Sequence, residues 1–362
     1  MAKFIIVAMT VMLGIHGYVS WHVWRVLPFS TPVKVIIILL MLLALCCMVM
    51  HFRSDNMPLS VATAIYEIGT SWLVIMFYLL MVFLVLDLGR LIHLVPATWL
   101  KGNAITSLAI TGLMLVTFIG GNIHYHNKQR REINLTTDKH LERPLKIVML
   151  SDLHAGFHNR RAEVGRWVNL INAEQPDLIL IAGDLIDGNV RPFKEYGIDS
   201  ELMRFNAPTL ACLGNHEYIT GIDKAIDVID QTGIRLLRDS TVTLDNVTII
   251  GREDRSDRRR KSVEQLMQGV PRDNYIIMLD HQPYHLEEAE ENGVDLQLSG
   301  HTHRGQVWPL NWVTRKMYEC DYGLYKRGKT DYYVSSGIGI WGGKFRIGTD
   351  SEYVVITVTH EN

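Results

Sequence analysis

Five short runs rich in branched apolar residues, each breaking off in Gly, Asp, Asn or His, constrain this chain more than any other feature. The runs are residues 146–150, 178–182, 209–213, 275–279 and 295–298. The blocks that follow or end them read Ser151-Asp152-Leu153-His154, Gly183-Asp184-Leu185-Ile186-Asp187-Gly188, Gly214-Asn215-His216-Glu217, Asp280-His281-Gln282-Pro283 and Gly300-His301-Thr302-His303. A short apolar run bounded by such breakers suits a strand buried on both faces, as in a parallel sheet. Parallel strands bring their carboxyl ends to one edge, where α/β proteins bind ligands. The predicted fold over this part is therefore α/β, with polar side chains gathered along one edge.

Those side chains include Asp152, His154, Asp184, Asn215, His281, His301 and His303. Imidazoles mixed with carboxylates suit two divalent transition metals better than calcium. In this order, each after a strand-like run, the blocks resemble the signature of the calcineurin-like metallophosphoesterase superfamily over about residues 145–358. The resemblance implies a two-sheet β-sandwich with flanking helices and two divalent metal ions, Mn, Fe or Zn. It implies that Asp152, His154, Asp184 and His303 hold one ion, and Asp184, Asn215, His281 and His301 the other, with a bridging hydroxide as nucleophile. His216, by the same resemblance, holds no metal and acts on the substrate as general acid or charge stabiliser. Asp187 is expected as a turn residue or outer partner, and Glu217 as the residue that orients His216 or caps the next turn. Related sequences usually carry Gly after the last His of the set. Here Arg304 stands there, either touching the substrate phosphate or sitting on an exposed loop.

The first third of the chain differs in kind. Apolar residues make up 48% of the 362 and charged residues 20%, and most of the charges lie beyond residue 127. Four long runs, about residues 4–24, 33–52, 62–86 and 104–123, each approach the ~20 residues a helix needs to cross a bilayer. They predict an N-terminal all-α bundle of four transmembrane helices over residues 1–126, a linker over 127–144 and the metallophosphoesterase domain over 145–362. Glu67 is an isolated acid inside the third run, at an interface, against a neighbouring helix or in a functional role. Trp21, Trp24 and Arg25 read as an interfacial belt rather than a cleavage site. Lys3, Arg53, Lys128, Arg130 and Arg131 stand against Arg25, Lys34, Arg90 and Lys101 on the other side. That balance tips the N-terminus, and with it the catalytic domain, toward the cytoplasm of a bacterial inner or plasma membrane. Cys46, Cys47, Cys212 and Cys320 have no disulfide-framework spacing. His124 and His126 read as interfacial histidines rather than a metal pair.

Within the domain, residues 160–174 carry Val164, Trp167, Val168 and Ile171 at helical spacing, with Trp167 in the core. Residues 241–244 and 247–250 read as a hairpin turning at Asp245-Asn246. The run 251–261 holds Arg252, Arg255, Arg258, Arg259, Arg260 and Lys261; it is either a solvated helix start or an anion-binding or bilayer-facing flap. Trp308 and Trp312 either pack inside or, with Arg315 and Lys316, form a lip against headgroups. Trp312 and Lys316 are then substrate contacts. Strands at 332–336 and 353–358 are expected to close a second sheet.

A membrane-tethered domain of this kind is similar to the bacterial branch that includes UDP-2,3-diacylglucosamine hydrolases. The resemblance implies a phosphodiester or pyrophosphate substrate, lipid-linked or nucleotide-lipid, with membrane lipids as partners and oligomerisation open. The alternatives are a phosphodiesterase or phosphatase for soluble nucleotides, with the helices as anchor, and a membrane sensor or transporter regulated by the domain. A net charge of −2 gives no pull toward nucleic acid.

Overall fold

The computed structural model describes residues 2–361, with side chains from Ile6 onward, so the side chain of Lys3 lies outside the described residues. The four apolar runs are helices α1 (Ala2–Val26), α2 (Thr31–His51), α3 (Leu59–Leu91) and α4 (Ala104–His126). All four are long and apolar enough to cross a membrane. A helix suits hydrocarbon because it satisfies its backbone N–H and C=O groups internally. Pro32 sits at the start of α2 and Pro58 just before α3, where a missing N–H costs no helical bond. Val19, Val26, Met41, Met76, Phe83 and Leu100 pack together, while Leu39, Leu40, Ile105 and Leu108 face outward. A Cβ on Gly69 would collide with the Met48 backbone, so α2 and α3 pack closely because a side chain is missing.

Glu67 borders an open recess with Ala44, Ile68, Ser71, Trp72 and Ile75. A second acid, Asp87, also lies in α3, one residue past the end of the predicted run. It accepts a hydrogen bond from Tyr18 Oη at 2.8 Å and lies 2.9 Å from His22 Nε2 and 3.6 Å from Arg90 Nη1. These partners tie α3 to α1 and offset the cost of an acid on a spanning helix.

The chain divides into two compact units, Met1–Ile123 with Gly342–Lys344, and His124–Trp341 with Phe345–Asn362. The second unit opens with β1 (Gln129–Thr137), β2 (Leu145–Leu150), α5 (Arg161–Ala173), β3 (Leu178–Ala182), α6 (Val190–Glu195) and α7 (Asp199–Leu202). It continues with β4 (Thr209–Cys212), α8 (Asn215–Thr220), α9 (Ile222–Ile229), β5 (Arg235–Leu236), β6 (Ser240–Leu244), β7 (Val247–Gly251) and α10 (Val263–Leu266). β8 (Tyr275–Leu279), α11 (Glu287–Glu291), β9 (Leu296–Ser299), α12 (Leu310–Met317), β10 (Gly323–Arg327), β11 (Thr330–Val334) and β12 (Glu352–His360) complete it.

Two six-stranded sheets result, ordered β1-β12-β2-β3-β4-β5 and β10-β11-β9-β8-β7-β6. Strands β2 to β5 run parallel in the first sheet, and β7, β8, β9 and β11 in the second. Alternate side chains explain the unbroken apolar runs. Met149, Leu180 and Ile356 meet Ile249, Ile277 and Leu298 between the sheets. Val148, Ile179 and Ile181 turn outward onto Trp167, Val168 and Ile171, where α5 covers them. On the far side, Ile276 and Met278 meet Leu266 and Ala289. Fully burying each such side chain contributes roughly 1.5–3 kcal/mol, which favours strands covered on both faces.

Two expectations change. Nine residues of the segment read as a linker form β1, paired in parallel along its whole length with β12. The two terminal strands also part company: β11 belongs to the second sheet, whereas β12 is inserted into the first, antiparallel to β2. The burial of β12 on both faces requires a central place, and β1 supplies the edge outside it.

Candidate metal centre

Strands β2, β3 and β4 of one sheet and β8 and β9 of the other carry the five blocks. Asp152 and His154 follow β2, Asp184 follows β3 and Asn215 follows β4. His281 follows β8, and His301 and His303 follow β9. The chain must turn sharply at these junctions, and it does so at the site residues themselves. Asp152, His154, Asp184, His301 and His303 have φ of 52°, 41°, 53°, 71° and 48°. Left-handed backbone at a residue with a Cβ costs about 1–3 kcal/mol and persists where surroundings enforce it, often at functional sites. Two glycines leave the room needed. A Cβ on Gly183, at φ 83°, would meet the His281 ring, and one on Gly214 would run into the Asp184 carboxylate.

The side chains converge in two groups that share Asp184. His154 Nε2 faces His303 Nε2 at 3.0 Å, with Asp152 Oδ1 3.3 Å from His303 Nε2 and Asp184 Oδ2 3.7 Å from His154 Nε2. On the other side of Asp184, its Oδ2 lies 3.1 Å from His281 Nε2. Asn215 Oδ1 is 3.2 Å from His281 Nε2 and 2.8 Å from His301 Nδ1. All seven sequence-predicted ligand residues are therefore brought together. Asp152, His154, Asp184, His281 and His303 are buried.

This donor set fits divalent cations. Two imidazole nitrogens point at each other across 3.0 Å in a buried space beside two carboxylates. Burial holds His303 well below its ordinary value and pushes His301 down to about 4. Neutral rings with free lone pairs are what a metal requires. His281 is buried too, yet Asp184 raises it well above its ordinary value. His281 Nδ1 lies 2.7 Å from Ala182 O; donation there leaves Nε2 facing the cluster.

Around these seven residues stand others whose roles were less legible. Asp187 lies 3.2 Å from His216 Nδ1 and 3.6 Å from His154 Nδ1, so it braces both rings. Burial lowers the basicity of His216, but Asp184 and then Asp187 override it and hold the imidazolium up to about 9. Glu217 does not orient His216. It accepts from the backbone N–H groups of Gly214, Asp184 and Ile186 at 2.7, 3.2 and 2.9 Å, joining the turns after β3 and β4.

Arg346 gave no signal in the sequence, lying far beyond the last block. Its buried guanidinium donates from Nη1 to His303 O at 2.9 Å, from Nη2 to Ser336 O at 2.5 Å and from Nε to Ser351 Oγ at 3.1 Å. It thereby braces the last ligand loop. His124 Nε2 lies 2.8 Å from Asp350 and His126 Nδ1 3.3 Å from Glu163, so these rings answer carboxylates rather than one shared ion.

The predicted substrate contacts lie outside the cluster. Arg304 stacks over Tyr322 at 4.4 Å beside an open cleft with Arg131 and Tyr333. Trp312 and Lys316 are exposed on α12. The basic run is no helix start. Arg252 is buried and reaches Asp280 at 3.2 Å and Glu288 at 2.7 Å, and Arg260 also reaches Asp280 at 3.2 Å.

Known proteins share these features. The sequence pattern of the calcineurin-like phosphoesterases matches residues 145–305. An uncharacterised metallophosphoesterase of Campylobacter jejuni is 34% identical over 226 residues, covering 60% of each chain. One from Aquifex aeolicus is 32% identical over 224 residues, covering 59% of this chain and 85% of its own. A transmembrane protein with metallophosphoesterase domain from Danio rerio is 30% identical over 231 residues, covering 59% of this chain and 53% of its own. The chain thus spans about three-fifths of the Campylobacter relative and half of the Danio relative. Sheet order, ligand-bearing edge and relatives agree, and the chain belongs to the calcineurin-like metallophosphoesterase family.

Proposed function

We propose that the protein is a membrane-anchored phosphoesterase that hydrolyses a phosphodiester or pyrophosphate bond of an amphiphilic, lipid-linked substrate. The observation that carries the reading is the pair of donor groups sharing Asp184. Asp152, His154, Asp184 and His303 would hold one divalent ion, and Asp184, Asn215, His281 and His301 the other. Ions there supply Lewis acidity toward phosphoryl oxygens and water of lowered pKa. Asp187 steadies His154 and His216 from behind, and Arg346 fixes the turn that carries His303. His216 lies beside the cluster with its ring partly accessible, 4.4 Å from the His154 ring centre. In this reading it gives a proton to the departing oxygen.

The lipid part of the reading rests on α12. Its exposed side carries Trp312, Val313 and Met317, which are 56, 50 and 59% accessible, next to Arg315 and Lys316. Tyr318, which ends α12, has its ring 6.3 Å from that of His301. Indoles beside basic residues favour the headgroup layer, so a substrate embedded there suits this rim.

In the first test, Asp184→Ala is expected to abolish metal-dependent turnover and leave at most one bound ion per chain by elemental analysis. An active variant with two ions would overturn the assignment. We further propose that the catalytic unit faces the cytoplasm. Single cysteines replacing Asp55 and Thr98, in a chain lacking its native cysteines, separate the two faces. An impermeant maleimide added outside cells should label position 98 and spare position 55; the reverse pattern rejects the orientation.

A further inference from the structure

The basic run between β7 and α10 carries six cations, and most are committed to neighbours. Arg252 and Arg260 serve Asp280, and Arg259 lies 3.3 Å from Asp257. Lys261 Nζ donates to Asp239 O at 3.1 Å, and Arg258 is exposed to solvent. Arg255 differs. Its guanidinium sits over the Tyr284 ring, 4.2 Å from the centre, and pairs with no carboxylate among the described residues.

That ring belongs to the rim of the metal centre. Tyr284 Oη donates to Tyr318 Oη at 3.1 Å, their rings lie 4.8 Å apart, and Tyr318 flanks His301. The backbone leading into Arg255 is held by the two residues before it. Asp254, fully buried, accepts from Gln282 Nε2 at 2.8 Å, next to His281. Glu253 accepts from Tyr218 Oη at 2.5 Å, two residues beyond His216. An unpaired guanidinium is thus presented by a braced turn, with two tyrosine rings between it and His301.

We propose that Arg255 is a specificity residue that binds a second phosphoryl group of the substrate, distinct from the one the metal centre cleaves. This deepens the phosphoesterase reading and rests on it. Guanidinium forks match phosphoryl oxygens, and stacking on Tyr284 orients the fork without neutralising it. The two rings separate Arg255 from His301, so its partner is a neighbouring anionic group rather than the reacting phosphorus. Substrates with adjacent phosphates, such as pyrophosphate esters, present such a group; simple diesters do not.

The test uses the full chain in detergent at saturating Mn²⁺. Calorimetry compares AMP with α,β-methylene-ADP, which share the base and sugar and differ in the second phosphoryl. The wild type is expected to prefer the diphosphate by about tenfold or more, the size of one lost charge-assisted contact. Arg255→Ala should bring the two ligands near parity by weakening the diphosphate while AMP affinity holds within about twofold, and Arg255→Lys should recover part of the preference. No preference in the wild type, an unchanged ratio in Arg255→Ala, or equal weakening of both ligands overturns the proposal. Turnover of bis-p-nitrophenyl phosphate by the wild type tests the phosphoesterase reading separately. A protein that shows the Arg255-dependent preference but no metal-dependent turnover keeps this site and loses that reading.

Discussion

His216 is the residue on which the division between holding metal and moving protons can be checked. One of its ring nitrogens lies within 4.8 Å of donor atoms of His154 and Asp184, yet with Asp187 3.2 Å from Nδ1 it is proposed above as a proton donor rather than a ligand. His216→Ala should therefore keep its bound metals while turning over ~10²–10⁴-fold more slowly. The loss should shrink for nitrophenyl esters, whose leaving oxygen needs no proton. An equal loss across leaving groups would point to electrostatic stabilisation instead, and loss of metal would place His216 among the ligands. At this scale the sequence told a great deal about identity and little about support. All seven residues expected as ligands converge, because their blocks follow strands that end at one edge. The braces were partly legible. Asp187 is the outer partner expected, and Glu217 took the capping alternative over orienting His216, whereas Arg346, which reaches His303 across 43 positions, gave no sign. Backbone hydrogen bonds made by distant side chains leave no periodic trace. Nor do the left-handed φ values at five site residues, which arise from tertiary crowding.

Among the elements, the buried strands were the most legible. Residues 178–182 and 275–279 became β3 and β8 without a shift, because continuous branched runs between breakers suit few other structures. β1 and β12 were harder. β1 alternates exposed and buried positions beside a polar join, and β12 finds its place only by pairing with strands far back in the chain. Trp308 and Trp312 are 43 and 56% accessible rather than packed inside, and the headgroup lip is the reading proposed for them. The buried side of α12 is held by Asn311 and by Thr314, whose hydroxyl donates to Asp321 at 2.8 Å. Removing the outer side should thus leave the fold alone. The double variant Trp312→Ala, Lys316→Ala is expected to lose activity on a vesicle-borne lipid phosphoester, retain it on a small soluble ester, and keep Tm within about 2 °C, as surface substitutions do. Equal losses on both substrates, or a fall in Tm, would make these residues structural.

For the molecule as a whole, the sequence separated an apolar first third from a polar remainder, and the structure follows with four long helices and an α/β unit. The strand order at the join was not legible. The position of the donors has a consequence for cohesion. Asp152, His154, Asp184 and Asn215 hang from one sheet, and His281, His301 and His303 from the other. A cation held by residues of both sheets would act as a rivet through both plates of the sandwich, clamping the turns that carry them. Metal supply and mechanical integrity then become one variable. Tm should climb with free Mn²⁺ or Zn²⁺ as binding to the folded state predicts, and chelation should speed amide exchange in the turns after β2, β3 and β9 before the strands themselves. A Tm indifferent to metal would mean that the plates are held by their apolar filling alone. If the rivet holds, scarcity of metal removes the protein by loosening it, and idle, unloaded copies are the first that a protease can open.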